Sequence, residues 1–335
     1  MTEKRNSAGI IGTGWYVPEK VITNEDLEQM VDTSDAWIVE RTGIHERRAA
    51  RKDQPTSDLA ERAARMALEN AGVKAEDLDL IIVATMTPDR TIPSTACILQ
   101  DRLGATKAGA FDLSAACSGF AYAAATACQF IETGVYRHIL VIGAETLSKV
   151  LDWTDRNTCI LFGDGAGAAV FGPVEAGYGL LSFDLGSDGA GGDLLDIPAG
   201  GSLKPLTAES LLMHENCIHM DGRAVFRFAV KILGETVEKS LARAGIEKSE
   251  IDWLVPHQAN TRIIDAAAKR LELPAEKVIV DIGKYGNMSA ASIPVALAEA
   301  VQAHRFKKGD LIALAGFGAG LTWASCIMKW AKEFS

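Results

Sequence analysis

The 335-residue sequence predicts an α/β fold of two similar halves, each built on parallel strands with helices on the sheet faces. Three observations point to it. Short aliphatic, β-branched runs alternate with longer stretches of helical periodicity. The same rhythm returns in the second half of the chain. Residues 162–171 (FGDGAGAAVF) and 316–324 (GFGAGLTWA) resemble each other, each following an apolar strand and leading into another. The halves divide near residues 173–178, giving an N-terminal half of 1–175 and a C-terminal half of 176–335.

In the first half the expected strands are 80–85 (LIIVAT), 110–113 and 139–142, with helices over 56–71 and 119–133. Residues 186–205 carry six glycines and read as a surface loop. In the second half a helix over 223–244 precedes a strand at 252–256, a helix at 259–271 and a strand at 278–281. A helix at 292–304 and a strand at 311–315 follow. Strands separated by helices are the mark of βαβ units.

Hydrophobic residues make up 48% and charged residues 23%, ordinary for a globular chain. No apolar run reaches the ~18 residues that span a membrane. Residues 1–6 are polar and unlike a secretory leader, so a cytoplasmic protein is expected. The formal charge of −10 argues against sequence-independent nucleic-acid binding. Cys97, Cys117, Cys128, Cys159, Cys217 and Cys326 form no CxxC pair and have no histidine at metal-ligand spacing. They read as reduced thiols, with neither a disulfide framework nor a metal site. Residues 163–167 (GDGAG) lead into a strand-like run rather than a helix, and no GK[ST] follows. Tight turns against a packed core are expected there, not a nucleotide site.

Three residues sit at strand-to-helix junctions. Cys117 follows a short strand and the small residues Ser114, Ala115 and Ala116, with a helix opening near Ser118. The positive end of that helix would lower the thiol pKa. His257, in 253–260 (WLVPHQAN), lies just past a strand end, where open α/β sheets place ligands. Asn287 lies in 284–292 (KYGNMSAAS), between a strand and a helix. Taken singly, each also fits a structural role: a buried thiol, a capping histidine, a turn asparagine. Together they make a nucleophile with two polar partners. Arg223, Arg227 and Lys231 line one helical stripe, and Arg262, Lys269 and Arg270 add cations on another helix. On an acidic chain such a patch suits an acidic partner.

Residues 33–44 (TSDAWIVERTGI), 112–120 (DLSAACSGF), 162–169 (FGDGAGAA), 256–263 (PHQANTRI), 285–294 (YGNMSAASIP) and 316–323 (GFGAGLTW) together resemble β-ketoacyl-acyl-carrier-protein synthase III. The resemblance runs in the correct order over almost the whole chain. It implies a thiolase-like fold, two similar halves in an αβαβα layering, and a homodimer. It implies condensation of an acyl-CoA primer with malonyl-acyl carrier protein, with loss of CO₂ and no cofactor beyond the coenzyme A thioester substrate. Cys117 would be the nucleophile, His257 and Asn287 its partners, and the backbone N–H groups of Cys117 and Ala319 the oxyanion hole. Trp37 and Arg156 would flank the coenzyme A adenine, with Thr33, Arg41 and Asn260 at other coenzyme contacts. Gln258, Ala259, Asn260, Thr261 and Arg262 match the carrier-protein segment, joined by Arg227, Lys269 and Arg270. Ile92 stands where acetyl-preferring members present a phenylalanine across the dimer interface, which implies a deeper acyl pocket. Asn287 separates the chain from relatives with a second cysteine or a second histidine. Ala319 replaces a frequent glycine, and Met288 a usual threonine. A condensing enzyme of secondary metabolism, with another acyl donor or a CoA-bound extender, is the alternative.

Overall fold

The structure, a computed structural model, describes residues 6–332. The first residues of the polar N-terminal stretch, 1–5, lie outside the described residues. The strands are β1 (Ser7–Tyr16), β2 (Lys20–Thr23), β3 (Glu46–Ala49), β4 (Leu80–Ala84), β5 (Gly109–Leu113), β6 (Ile139–Thr146) and β7 (Asp164–Val174). They continue with β8 (Gly179–Ser187), β9 (Leu195–Asp196), β10 (His219–Met220), β11 (Trp253–Pro256), β12 (Leu311–Gly318) and β13 (Thr322–Lys329). The helices are α1 (Asn24–Glu28), α2 (Asp35–Thr42), α3 (Thr56–Ala71), α4 (Thr95–Leu103) and α5 (Gly119–Glu132). After them come α6 (Ala208–Leu212), α7 (Gly222–Ala244), α8 (Thr261–Arg270), α9 (Ile282–Tyr285) and α10 (Ser292–Gln302).

Two sheets organise the molecule, in the orders β1-β7-β6-β4-β5 and β11-β12-β13-β8. Both are mixed rather than parallel throughout. In the first, β4 runs parallel to β5 and β6, whereas β6–β7 and β7–β1 are antiparallel. In the second, β11–β12 is parallel and β12–β13 and β13–β8 are antiparallel. From β4 and from β11 outward, the two sheets repeat one pattern. The counterpart of β5 should lie at 278–281, but there the ladder shrinks to one parallel bridge between Leu254 and Val278. The two Gly-rich stretches are not equivalent in place. The first opens β7, while the second closes β12 and turns into β13.

Strand pleating explains the layers, since successive side chains point to opposite faces. On β4, Ile81 and Val83 pack with Leu59, Ala63, Ala67 of α3 and Leu99 of α4. Leu80, Ile82 and Ala84 point the other way, into a core shared with Phe120 and Ala124 of α5, Ile293 and Leu297 of α10, and Val255 and Leu314 of the second sheet. Beyond that sheet, Leu254, Ala313 and Ile327 meet Leu233 and Val237 of α7 and Ile264 of α8. The layers thus run helix, sheet, helix, sheet, helix. Each buried Leu or Ile contributes roughly 1.5–3 kcal/mol by leaving water.

The glycines serve close packing. A Cβ on Gly14 of β1 would fall 2.4 Å from Ala63 O of α3, and one on Gly167 of β7 would fall 2.5 Å from Val295 N of α10. The GDGAG stretch therefore belongs to strand β7 under a helix, and is not the expected tight turn. Met288 fills the space beside Gly165, where an added Cβ would stand 2.5 Å from its sulfur.

Candidate active site

Cys117 leaves β5 through Ala116, held at φ 47°, into a short helical turn that runs on into α5. Such a backbone is strained for a non-glycine residue and persists only under tight packing. The end of β12 supplies that packing. Added Cβ atoms on Gly316 and Gly318 would stand 3.1 Å from Cys117 O and 2.6 Å from Cys117 N. Thr322 Oγ1 lies 3.0 Å from both Ala115 O and Ala319 O, sharing its one proton between them and tying the loop to the turn. The thiol is 5% exposed. Burial pushes it up to about 12, against the lowering influence of the Ser289 hydroxyl. The expectation of a depressed thiol is therefore corrected: in the resting protein, desolvation outweighs the neighbouring helix end.

His257 follows β11, and its backbone N–H donates to Ala315 O at 2.7 Å. Its ring stands edge-on to Phe317 with centroids 5.5 Å apart. Neither ring nitrogen has a hydrogen-bond partner among the described residues, and burial lowers the pKa to about 3. The imidazole is neutral, with one N–H available.

Asn287 is fixed through its backbone. Its N–H donates to Leu161 O at 2.8 Å, and its carbonyl accepts from Gly163 N at 3.0 Å. Gly286 enters this bridge at φ 65°, where an added Cβ would press 2.8 Å from Leu161 O. Arg47, buried at 0% exposure, holds the facing segment by donating to Ile160 O at 2.9 Å.

Cys117, His257 and Asn287 line one cavity of about 770 Å³. Trp37, Arg41, Arg156, Ala259, Asn260 and Arg262 line the same cavity. Arg41 and Arg156 both lie over the Trp37 ring, at 4.5 and 5.4 Å from its centre. Asn260 caps α8 through its oxygen and donates to Arg41 O at 2.7 Å, joining the two sides of the cavity. Ala319 lines an adjoining cavity of about 380 Å³ with Met86, Ala116, Ile197 and Ile218.

Other expected site residues lie elsewhere. Thr33 is outside the cavity lining, its hydroxyl buried without a partner among the described residues. Gln258 is 0% exposed and donates to Pro256 O and Ile279 O while accepting from Asp281 N and Ile282 N. Its side chain stitches the backbone and offers nothing to a carrier protein. Thr261 packs its methyl under Gly43. Arg270 is engaged with Glu235 and Glu238, bracing α8 against α7 rather than standing free. Arg227 and Lys269 are exposed and make no ion pair among the described residues. Ile92 is 83% exposed and lines neither of these two cavities.

Several wall residues escaped the sequence reading. Leu195 lines both cavities, so the segment taken as a surface loop forms part of the site wall. Phe226 of α7 also faces the main cavity, beside Arg223 of the basic stripe already noted, with Arg262 stacked 5.0 Å from the Phe226 ring. Glu145 and Ser289 lie behind Cys117. A lone acid closing an otherwise apolar, buried strand (ILVIGAET) was the available signal for Glu145.

Residues 111–189 match the family 3-oxoacyl-[acyl-carrier-protein] synthase III, and residues 241–330 match the C-terminal part of that family. A beta-ketoacyl-[acyl-carrier-protein] synthase III of Desulfitobacterium hafniense is 60% identical over 98% of this chain and 99% of its own length. One from Caldanaerobacter subterraneus is 59% identical over 97% of this chain and 98% of its own length. Among solved structures, the 3-oxoacyl-[acyl-carrier-protein] synthase III of Aquifex aeolicus superposes with a TM-score of 0.90 at 46% identity, covering 96% of this chain and 100% of that one. The priming β-ketosynthase of the R1128 polyketide pathway gives a TM-score of 0.91 at 35% identity, with 99% of both chains covered. The chain belongs to the 3-oxoacyl-[acyl-carrier-protein] synthase III family of condensing enzymes and has its thiolase-like fold.

Proposed function

We propose that the protein joins an acyl-CoA primer to malonyl-acyl carrier protein with loss of CO₂, giving a β-ketoacyl-acyl carrier protein and starting a fatty acid. The observation that carries this reading is the single cavity lined by Cys117, His257 and Asn287. Cys117 Sγ attacks the thioester carbonyl, and the coenzyme leaves as its thiolate. The backbone N–H groups of Cys117 and Ala319 donate to the oxyanion, an arrangement in which one lost donor typically costs about 3 kcal/mol. The aromatic and cationic cavity wall of Trp37, Arg41, Arg156 and Arg262 suits an adenine and its phosphates. The malonyl thioester carbonyl then receives hydrogen bonds from neutral His257 and from Asn287 Nδ2. Loss of CO₂ puts negative charge on that oxygen, and the carbanion equivalent attacks the acyl group on Cys117, whose thioester bond breaks with the electron pair leaving on Sγ, which is then reprotonated.

The enzyme would act in the cytoplasm as a homodimer, with Ile92 reaching the partner's acyl pocket and the substrate thioester as its sole coenzyme. Residues 1–175 would supply the nucleophile, and 176–335 the histidine and asparagine. Arg227 and Lys269, exposed and unpaired among the described residues, suit an acidic carrier protein. The test is CO₂ release from malonyl-carrier protein in the presence of an acyl-CoA. Release coupled to β-ketoacyl product supports the reading, and its absence with every acyl-CoA in a panel refutes it. The likeness to a polyketide priming enzyme favours one second reading, that the product enters secondary metabolism. Faster turnover with malonyl-CoA than with malonyl-carrier protein would favour that one.

A further inference from the structure

A further cavity, of about 500 Å³, opens between the 278–281 segment and helix α10. None of its lining residues lines either cavity of the candidate active site. The run of the chain carries an acid to it. Val278 packs into the core beside α7 and α8, whereas Ile279 packs into the core shared with α10. Asp281, two residues past Ile279, falls on the α10 side by the alternation of extended backbone. It lines the cavity and is 5% exposed.

Neither carboxyl oxygen of Asp281 has a hydrogen-bond partner among the described residues. Its main chain is fixed, since Asp281 N and Ile282 N donate to Gln258 Oε1 at 3.1 and 3.2 Å. An asparagine would keep both of those bonds without the charge. The other charged groups of the cavity are engaged. Glu299 accepts from the Tyr285 hydroxyl at 2.5 Å and lies 3.7 Å from Lys284 Nζ. Arg305 donates to Glu276 O at 3.0 Å, and its guanidinium lies 4.8 Å from the centre of the Trp253 ring. A buried carboxyl group with nothing to bond is costly, and here it stands beside open space.

The chemistry of that space selects an occupant. Two carboxyl groups, on Asp281 and Glu299, disfavour an anion. Among the described residues no cluster of three His, Cys, Asp or Glu could hold a metal ion. The two unpartnered oxygens of Asp281 match the parallel N–H groups of a guanidinium, which bind a carboxylate as a fork. Val278, Ala300 and Ala303 give the cavity an apolar wall for a short hydrocarbon chain.

We propose that this cavity binds a small guanidinium compound, with its fork on Asp281 and its aliphatic chain along Val278 and Ala300. The site is independent of the condensing reaction. Burial raises Asp281 to about 8, with Glu299 adding to the rise and Lys284 opposing it. Those two groups and Arg305 are the charges that share the cavity, and the Tyr285 hydroxyl stands behind Glu299. The cation takes the ionised carboxylate. Near neutral pH its binding therefore releases the carboxyl proton to solvent, and affinity rises with pH through about 8.

The experiment is isothermal titration calorimetry with n-butylguanidinium and with n-butylurea, its neutral counterpart, for the parent and Asp281→Asn. Runs at pH 7 and 9, in buffers of different ionisation heat, count the protons released. The parent should bind butylguanidinium about tenfold more tightly at pH 9 than at pH 7, and release most of a proton at pH 7. Butylurea should bind at least about tenfold more weakly at pH 9, and Asp281→Asn should lose about tenfold in affinity together with the pH dependence. Should Asp281→Asn fail to fold, the proton release and the urea comparison in the parent decide. Absence of butylguanidinium binding, or binding that is equal in Asp281→Asn or flat with pH, would overturn the proposal. So would butylurea binding as tightly as butylguanidinium, which marks a site for neutral hydrogen-bonding groups.

Discussion

Asn287 Oδ1 accepts the backbone N–H of Ser289 at 2.8 Å, so the asparagine is oriented by its own turn. With the oxygen engaged, Nδ2 is the end left to donate. Asn287→Asp should therefore spare acylation of Cys117 but slow malonyl decarboxylation by a factor of about 10² to 10³, since an acceptor replaces a donor. Separate assays of acyl adduct and CO₂ release check this. Equal loss in both would contradict it.

His257 is neutral because it is buried, and that has a stability consequence. Its folded pKa of about 3 lies below the unfolded value near 6.5. Between those values the unfolded chain binds the extra proton, so stability falls as pH drops below about 6.5. Urea unfolding at pH 7.5 and 5 should show the parent losing about 2 kcal/mol more than His257→Gln over that interval. Comparing the two proteins cancels Asp281 and Glu145, whose raised values act in the opposite direction.

Of the β12 glycines, Gly318 comes closest to Cys117. Gly318→Ala would place a methyl 2.6 Å from Cys117 N and 2.9 Å from Ala116 Cβ. The turn carrying Cys117 must then move, and acylation should slow by about a hundredfold. An unchanged single-turnover rate would show that this contact has no part in placing the thiol.

Two basic residues that the sequence assigned to carrier-protein binding should behave oppositely. Arg227→Glu should raise the KM for malonyl-carrier protein several-fold at low salt, with the effect fading as salt rises. Arg270→Ala should leave that KM alone and lower the Tm, because its guanidinium is already engaged with Glu235 and Glu238. Steady-state kinetics and thermal melts separate the two.

Ile92 is exposed and lines neither cavity of the candidate active site, so the proposed role in the acyl pocket requires a partner subunit. Ile92→Phe should lower kcat/KM for isobutyryl-CoA relative to acetyl-CoA by about tenfold. An unchanged ratio would remove Ile92 from primer selection.

Much of this structure was legible in the chain. Helix α3 spans the expected 56–71 because Ala60, Ala63, Ala64 and Ala67 recur at helical spacing and are all buried. Strand β1 was hidden by Gly9, Gly12 and Gly14, residues of poor strand propensity that let α3 and β8 approach. The expected strand at 278–281 failed for a reason visible only in three dimensions. The Gln258 side chain takes up Ile279 O, Asp281 N and Ile282 N, groups a neighbouring strand would have used. The proposed trio of Cys117, His257 and Asn287 could be named from its motifs, and the structure brings the three to one cavity. Its electrostatics could not, because burial of Cys117 and His257 is a property of the packed sheets and not of local sequence.

The most direct test is to mix the protein with acyl-CoA alone and map any adduct by peptide mass spectrometry. One acyl group on the peptide carrying Cys117, absent from Cys117→Ser and retained in His257→Ala and Asn287→Ala, is the predicted result. An adduct on another residue, or one that survives in Cys117→Ser, would contradict it.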